Sequence, residues 1–272
     1  MNEDMNARTS FRTIFDQAAL DYDEVRPGYP EELIEDVISI SAIPKDGRIL
    51  EIGCGTGQAT IPFAKRRYSM TCLDIGKELA ALAALKCRQY PKVHIHTISF
   101  EDWQPEFNSF DLVMSATAFH WIPPEISYLK AAQVLKDSGY IAIFSNLHPS
   151  PYTDFFHAVQ RVYQKVVPEW KDPSNRPSIE EEIRSTEDYL NGTGLFKKVL
   201  VKRYPWTKEY NTGEYLKLLN TYSGHRNLEE ALSFFLGFSV YPPFFFRFDV
   251  LIFVGKMGEK KLYICPTNNK KE

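Results

Sequence analysis

Short apolar runs alternate with longer helix-like stretches between residues 48 and 146. The apolar runs cover residues 48–52, 70–74, 93–98, 110–115 and 140–145, and the helix-like stretches cover residues 58–66, 77–89 and 124–136. Each apolar run has the length of a strand that is buried on both faces. Strands that alternate with helices in this way predict βαβ units and a parallel sheet with helices on both sides.

Further elements are predicted on both sides of this region. Helical patterns cover residues 10–20, 30–41, 153–167, 178–189, 212–220 and 228–235, and strand-like patterns cover residues 196–204 and 250–255. Pro30 followed by two glutamates is typical of a helix start. The segment DYDEVRPGYP, residues 21–30, is predicted to be a non-helical arm because its prolines and glycine are incompatible with a continuous helix.

Composition limits the classes of partner. The chain has 272 residues, of which 44% are hydrophobic and 25% are charged, as in ordinary globular proteins. A formal net charge of −3 gives no overall attraction to nucleic acid or to an anionic membrane. The four cysteines show no C-x-x-C spacing, and no run of 18 apolar residues or apolar leader is present. We therefore predict a cytoplasmic protein that acts on small molecules, and the oligomeric state stays open.

The segment ILEIGCGTGQAT carries three closely spaced glycines directly after a predicted strand. Such a turn lets backbone approach a ligand closely. Gln58 stands where a dinucleotide fingerprint needs its third glycine, and no G-K-[ST] follows as in a phosphate-binding loop. Glu51 would repel a pyrophosphate, so the pattern favours a ligand that has a positive charge and no phosphate. A structural turn without a ligand is the alternative.

This segment resembles the first motif of the class I S-adenosylmethionine-dependent methyltransferases. CLDIGKEL, HTISFEDW and FDLVMSATAFHW resemble the motifs that follow it in that family, in the same order, and the resemblance covers about residues 11–146. It implies an α/β fold: a Rossmann-like, doubly wound, mostly parallel seven-stranded sheet with an antiparallel last strand and a helical cap. It also implies that S-adenosyl-L-methionine is the cofactor.

The resemblance assigns cofactor-binding roles to individual positions. Asp74 would hold both ribose hydroxyls, although an N-cap role for the helix that follows is also compatible with its position. The glycine turn would surround the methionyl part, Ile75 would pack on the adenine face, and the remaining positions would line the adenine edge or the methionine moiety. The predicted residues are Glu51, Gly53, Cys54, Gly55, Gly57, Asp74, Ile75, Phe100, Glu101, Asp102, Ser115 and Ala116.

The arm resembles the one found in the branch of the family that includes trans-aconitate methyltransferases. By this resemblance Tyr22, Arg26 and Tyr29 would fold over the cofactor, with Arg26 paired to its carboxylate. A surface arm whose arginine pairs with a nearby acid is the alternative.

His120 is the candidate catalytic residue. It follows the fourth predicted strand, where the methyl group should emerge, and could act as a general base or orient the acceptor. A structural histidine is an equal alternative, and Trp121 beside it is interpreted as a packing residue. His94 and His96 share a strand face without a nearby cysteine or carboxylate, so no metal site is predicted.

These patterns predict an enzyme that transfers a methyl group from S-adenosylmethionine to a small-molecule acceptor, a carboxylate or another oxygen nucleophile. A non-enzymatic S-adenosylmethionine-binding protein is the alternative, and an NAD-dependent oxidoreductase is disfavoured by Gln58. The predicted organisation is lid helices and arm over residues 1–47, a cofactor-binding core over 48–148, a part over 149–256 that completes the sheet and caps the acceptor, and a flexible tail over 257–272.

Overall fold

Residues 15–147, 154–170, 177–222 and 244–258 are described in a computed structural model of the chain. Their strands are β1 (Arg48–Ile52), β2 (Ser69–Asp74), β3 (Val93–Thr97), β4 (Phe110–Ala116), β5 (Leu135–Asn146), β6 (Phe196–Tyr210) and β7 (Phe244–Met257). They form one seven-stranded sheet in the order β3-β2-β1-β4-β5-β7-β6.

The strand directions confirm the predicted fold class. Strands β1 to β5 are mutually parallel, and β7 runs antiparallel to both of its neighbours, β5 and β6. The chain order reverses between β1 and β4, because β2 and β3 lie on one side of β1 and the later strands lie on the other. At such a reversal the loops after the strands diverge and leave a crevice at the carboxyl ends, which is where open α/β sheets bind ligands.

The helices in the described ranges are α1 (Ala19–Val25), α2 (Glu31–Ser41), α3 (Thr60–Lys65), α4 (Lys77–Cys87), α5 (Pro124–Val134), α6 (Asp154–Val166), α7 (Ile179–Gly192) and α8 (Thr212–Asn220), and 3₁₀ turns cover Phe15–Ala18 and Phe119–Trp121. Two cap helices begin at complete capping boxes, Ser178 with Glu181 and Asn211 with Glu214, which satisfy the first backbone N–H groups. None of these helices has the length and apolar content needed to cross a membrane.

Two apolar layers cover the faces of the sheet. Along β1 successive side chains alternate, so Ile49 belongs to one layer and Leu50 to the other, and both are fully buried. Helices α2, α3 and α4 cover the face of Ile49, and α5 and α7 cover the face of Leu50. Because β1 is buried on both faces, it reads as a continuous apolar run interrupted only by Glu51.

A third apolar cluster holds the cap against the sheet. Strand β7 pairs with β5 only from Val250 onward, and its earlier residues pair with the second half of β6 alone. The resulting two-stranded ribbon extends past the sheet and packs against α1, α6 and α8. Its core contains Val25, Val159, Val162, Tyr163, Tyr210, Tyr215, Leu218, Phe246 and Phe248.

Both ribbon strands are longer than predicted. The sequence pattern ended one strand at residue 204 and began the other at residue 250, whereas β6 continues to Tyr210 and β7 begins at Phe244. Arg247 and Asp249 interrupt the apolar run there, but Phe246 and Phe248 alternate with them and are buried in the cap. The last strand therefore pairs with both of its neighbours, with one register shift in its pairing with β6, between Lys197 and Leu200.

The arm prediction is wrong for residues 21–25, which are helical and belong to α1. The helix ends at Val25 and leaves only residues 26–30 extended, because a residue directly before a proline disfavours helical backbone and Pro27 follows Arg26. Residues 10–14, the predicted helix 228–235 and the tail beyond residue 258 lie outside the described residues.

Candidate active site

A large cavity opens at the carboxyl ends of β1 and β4. Its volume is about 1630 Å³, and it extends from the glycine turn to the cap helices. Twelve of the predicted site residues line it: Tyr22, Arg26, Tyr29, Glu51, Gly53, Cys54, Gly55, Asp74, Ile75, Phe100, Ala116 and His120. The fold therefore brings residues that are almost 100 positions apart in the chain to one surface.

The glycine turn depends on positive φ at all three of its glycines, and Gly57 has φ +90°. Gly53 has φ +72°, and a Cβ atom placed there would lie 2.3 Å from the Cβ of Ala118 in the loop after β4. Gly55 has φ +55°, and its nearest neighbour would be the ring of Tyr22 at 3.5 Å. The first glycine thus permits the close approach of two loops, and the second permits the turn to face the cavity.

Glu51 is a fully buried acid at this turn. Its Oε2 accepts a hydrogen bond from the hydroxyl of Thr60 at 2.6 Å and lies 3.6 Å from Sγ of Cys72. Its Oε1 has no hydrogen-bond partner among the described residues. Burial raises the pKa of this carboxyl to about 8, because a charge is costly where water is excluded. A positively charged ligand group in the cavity would supply the missing partner.

Asp74 joins the end of β2 to the glycine turn. Its Oδ2 accepts the backbone N–H of Gly55 at 2.7 Å, and its Oδ1 accepts that of Gly76 at 2.8 Å. A carboxylate oxygen has two lone pairs, so these bonds are compatible with two further donors, as a ribose diol offers. The N-cap alternative is not realised, because Oδ1 of Asp16 accepts the first N–H groups of α4, those of Glu78 and Leu79.

Helix α1 lies at the cavity, and hydrogen bonds connect it to the glycine turn on one side and to the cap on the other. Asp23 accepts hydrogen bonds from the hydroxyl of Thr56 at 2.6 Å and from Nζ of Lys86 at 2.5 Å. Arg26 donates to the hydroxyl and the carbonyl of Thr221, and its guanidinium lies over the rings of Tyr22 and Tyr222. Arg26 therefore lines the cavity but is held by the cap, and its pairing with a cofactor carboxylate stays a prediction.

A polar network that the sequence did not reveal fixes the arm beside the strand ends. The hydroxyls of Tyr29 and Thr117 are 2.8 Å apart, and the side chain of Asn146 donates to the carbonyl of Gly28 at 3.1 Å. Thr117 has φ +58°, an uncommon conformation for a β-branched residue, and its N–H donates to Phe144. No motif marks these residues, because the contacts join segments that are more than 80 positions apart.

His120 lies in the 3₁₀ turn after β4 and lines the cavity. Its ring is exposed to the cavity, yet the surrounding protein displaces enough water to lower its pKa, so the imidazole is neutral at pH 7. It makes no hydrogen bond to any residue in the described ranges. Trp121 packs edge-on against Phe15 with ring centroids 5.8 Å apart, in keeping with a packing role.

Four predicted residues lie beside or behind the cavity. The hydroxyl of Ser115 donates to the carbonyl of Ile52 at 2.8 Å and so joins β4 to β1. Asp102 accepts from the hydroxyl of Ser99 at 2.7 Å within an exposed turn. Gly57 supports the glycine turn through its N–H, and Glu101 presents its carbonyl to Lys130. Direct roles of these four residues in cofactor binding stay predictions.

The cap lines the opposite wall of the cavity. Four aromatic side chains of the cap line this wall: Tyr163, Trp170, Tyr215 and Tyr222. The same wall carries polar side chains of α6 and an ion pair between Arg203 and Asp249 at 2.8 Å. The three- and four-residue spacing of the α6 side chains was visible in the sequence, but only the fold shows which way this helix faces.

Comparison with known proteins identifies the class of domain. Residues 49–139 match the family described as methyltransferase domain. The chain is 30% identical over 173 residues to malonyl-[acyl-carrier protein] O-methyltransferase of a Paenibacillus species, covering 58% of this chain and 62% of that protein. It is 28% identical over 149 residues to the probable S-adenosylmethionine-dependent methyltransferase CRG1 of Saccharomyces cerevisiae, covering 53% and 50%.

A solved structure supports the same fold. The putative type II methyltransferase of Anaeromyxobacter dehalogenans superposes with a TM-score of 0.60 at 19% identity, covering 85% of this chain and 97% of that one. The match over residues 49–139 confirms the resemblance to the class I S-adenosylmethionine-dependent methyltransferases. The chain spans less than two thirds of the length of the two curated relatives described above.

The buried acid predicts an unusual dependence of stability on pH. Unfolded, the Glu51 carboxyl ionises near its ordinary pKa of 4.5, whereas in the folded protein it ionises at about 8. The folded state therefore retains a proton that the unfolded state has lost, and the free energy of unfolding falls as the pH rises between these values. Glu51→Gln should remove this loss, which for a shift of this size is ~4 kcal/mol at pH 8, and so make the cofactor-free protein more stable there.

Denaturant unfolding at pH 5, 6, 7 and 8 measures the effect. The gap between Glu51→Gln and wild type should widen with pH, and the exposed Glu125→Gln on α5 should follow wild type throughout. A Glu51→Gln protein that is less stable than wild type by the same amount at every pH would contradict the assignment.

Proposed function

We propose that this protein transfers a methyl group from S-adenosyl-L-methionine to a small-molecule acceptor. The observation that carries the proposal is the meeting of three features in one cavity: the glycine turn, the unpartnered oxygen of Glu51 and the carboxylate of Asp74. S-adenosylmethionine carries an ammonium and a sulfonium beside an adenosine with a ribose diol. The buried carboxyl of Glu51, which a nearby cation would cause to ionise, suits the cationic end, and the carboxylate of Asp74 suits the diol.

The residues around the ligand have distinct roles in this proposal. The turn at Gly53 and Gly55 lies against the methionyl part, Glu51 accepts from the ammonium, and Asp74 accepts from the ribose. Ile75 and Phe100 line the place of the adenine ring. Helix α1 covers the site and excludes water while the ligand is bound. The hydrogen bonds that Asp23 accepts from Thr56 and Lys86 hold the helix in this position. The relatives' names, both methyltransferases, agree with this use of the site.

Bound S-adenosylmethionine supplies a methyl group on a sulfonium, which is an activated electrophile. The chain's own contribution is to hold the acceptor in line with that methyl group and to exclude water. Fixing two reactants in this way can be worth ~10⁵ M in effective concentration. A cavity of about 1630 Å³ exceeds the ~300–1,000 Å³ of ordinary small-molecule sites, so the cofactor and an acceptor fit side by side.

The acceptor group that this site suits best is a carboxylate or another small oxygen nucleophile. A carboxylate is already ionised at neutral pH and needs no base. His120 is the nearest candidate base, but no described side chain orients its ring by a hydrogen bond, as an efficient base requires. The Paenibacillus relative is by name an O-methyltransferase, which agrees with oxygen as the attacking atom.

The proposed division of the chain follows the cavity walls. Residues 1–47 supply the covering helix and the arm, residues 48–148 supply the cofactor side, and residues 149–256 complete the sheet and supply the acceptor side. The ribbon cluster around Tyr210 and Phe248 supports the last assignment, because it holds the cap helices over the cavity.

Incubation with methyl-labelled S-adenosylmethionine and a metabolite extract, followed by mass spectrometry, tests the proposal. A labelled small molecule that forms with wild type but not with Asp74→Ala supports methyl transfer. Cofactor binding without any labelled product would instead favour the non-enzymatic binding protein. Binding of NAD in place of S-adenosylmethionine would favour an oxidoreductase, although the amide of Gln58, bonded to Thr56, lines the space that a pyrophosphate would need.

Asp74→Ala should weaken the binding of S-adenosylhomocysteine by ~1–3 kcal/mol, because two hydrogen bonds to a carboxylate are lost. The substitution also removes the bonds to Gly55 and Gly76, so the ribose role needs a differential test. Calorimetry with S-adenosylhomocysteine and its 2′,3′-dideoxy analogue provides it. Wild type should prefer the complete ribose at least tenfold and Asp74→Ala should not; an undiminished preference in the variant would remove the ribose assignment.

His120→Gln separates the two kinds of acceptor. With a carboxylate acceptor the variant should lose only orientation, and the pH–rate profile should show no acid limb that depends on this histidine. With a hydroxyl or amine acceptor turnover should fall by ~10²–10⁴ and the acid limb should disappear. We expect the first result. A large loss of kcat at unchanged cofactor affinity would contradict it.

A further inference from the structure

Helix α6 presents a stripe of polar side chains to the cavity. His157, Gln160, Arg161 and Gln164 all line it, and their spacing of three and four residues places them on one face of the helix. The other face carries Val159 and Val162, which are buried in the cap cluster. The apolar face thus sets the rotation of α6, and the polar stripe has to face the cavity.

Arg161 differs from the other two arginines that line the described part of this cavity. Arg203 is paired with Asp249 at 2.8 Å, and Arg26 donates to Thr221. The guanidinium of Arg161 has no ion pair or hydrogen bond with any residue in the described ranges. It therefore offers its donors and its charge to the cavity.

The acids on the same wall make contacts with residues other than Arg161. Glu181 closes the capping box with Ser178, and Glu180 lies 3.8 Å from the guanidinium of Arg203. Glu182 has interactions of its own. Glu180 and Glu181 thus have partners other than Arg161 among the described residues, and the guanidinium of Arg161 keeps its hydrogen-bond donors available to the cavity.

We propose that Arg161, with the side-chain amides of Gln160 and Gln164, binds an anionic group of the methyl acceptor, a carboxylate or a phosphate. The inference rests on the proposed function and adds the substrate class. A guanidinium binds either anion through two parallel hydrogen bonds, and a glutamine amide adds a neutral donor. The polar stripe belongs to the cap wall and the glycine turn to the cofactor wall, so this anionic group anchors the acceptor and a different atom of it accepts the methyl group.

Three small probes with one aromatic body test the site, because Tyr163, Tyr215 and Phe248 also line the wall. Phenylacetate carries a carboxylate, phenyl phosphate carries a phosphate, and phenylacetamide is the neutral counterpart of phenylacetate. Their dissociation constants are measured by ligand-observed magnetic resonance on the full chain, with and without saturating S-adenosylhomocysteine. The wild type should bind at least one anion ten times more tightly than phenylacetamide, and the stronger anion identifies carboxylate or phosphate as the preferred group.

Arg161→Gln should reduce this preference to about twofold or less, and Arg161→Lys should retain part of it. Lys165→Gln is the matched control, because it removes one positive charge from the same helix at a position outside the cavity lining. It should keep the preference of wild type. The affinity for S-adenosylhomocysteine should be the same in all four proteins.

The proposal fails if wild type binds the anions no better than phenylacetamide, or if Arg161→Gln keeps the full preference while folded. A wild type that does not bind S-adenosylhomocysteine would contradict the proposed function instead. The anion preference is also measured without S-adenosylhomocysteine. A failure of the Arg161 proposal can therefore be distinguished from a failure of the proposed function.

Discussion

The site depends on two hydrogen bonds that the carboxylate of Asp74 accepts from Gly55 and Gly76. Through them one buried acid holds the glycine turn after β1 against the turn after β2. The backbone of the first turn would otherwise have to satisfy its N–H groups with water, and its left-handed residues would be free to relax. Gly53 adds the second constraint, because its missing side chain lets this turn touch the loop at Ala118.

Charge is distributed unevenly along the cavity. The cofactor wall contains the acids Glu51 and Asp74, which are almost completely buried, whereas the cap wall contains the guanidinium of Arg161, which has no partner within the described ranges. An acid without a partner in a buried place costs stability, so Glu51 is costly for the cofactor-free fold. When a ligand places a cation beside Glu51, the carboxylate gains a partner, and this gain contributes to the binding affinity. Stability and binding are therefore opposed at this residue, as is common at functional sites.

Covering the cavity requires parts that are distant in the chain. Helix α1 reaches the glycine turn through Asp23 and reaches the cap through Arg26, and the hydroxyl of Tyr210 donates to the carbonyl of Val25 at 2.9 Å. A change in the cap can thus be transmitted to the helix that closes over the cofactor wall. The ribbon formed by β6 and β7 is the mechanical link, since its aromatic residues pack on both α1 and the cap helices.

The sequence by itself determined the order of the core elements, the glycine turn and the acids Glu51 and Asp74, because strand periodicity and turn chemistry are local. The predicted first and last residues of β1 and α8 are the same as those in the structure. The sequence pattern ended β6 too early, began β7 too late and assigned residues 21–25 to the arm, since the partners that stabilise those segments lie far along the chain. Only the tertiary structure decided that Thr117 and Asn146 hold the arm and that Arg161 faces the cavity. Side chains of these types occur in many structural environments, and only long-range packing determines the environment of each one.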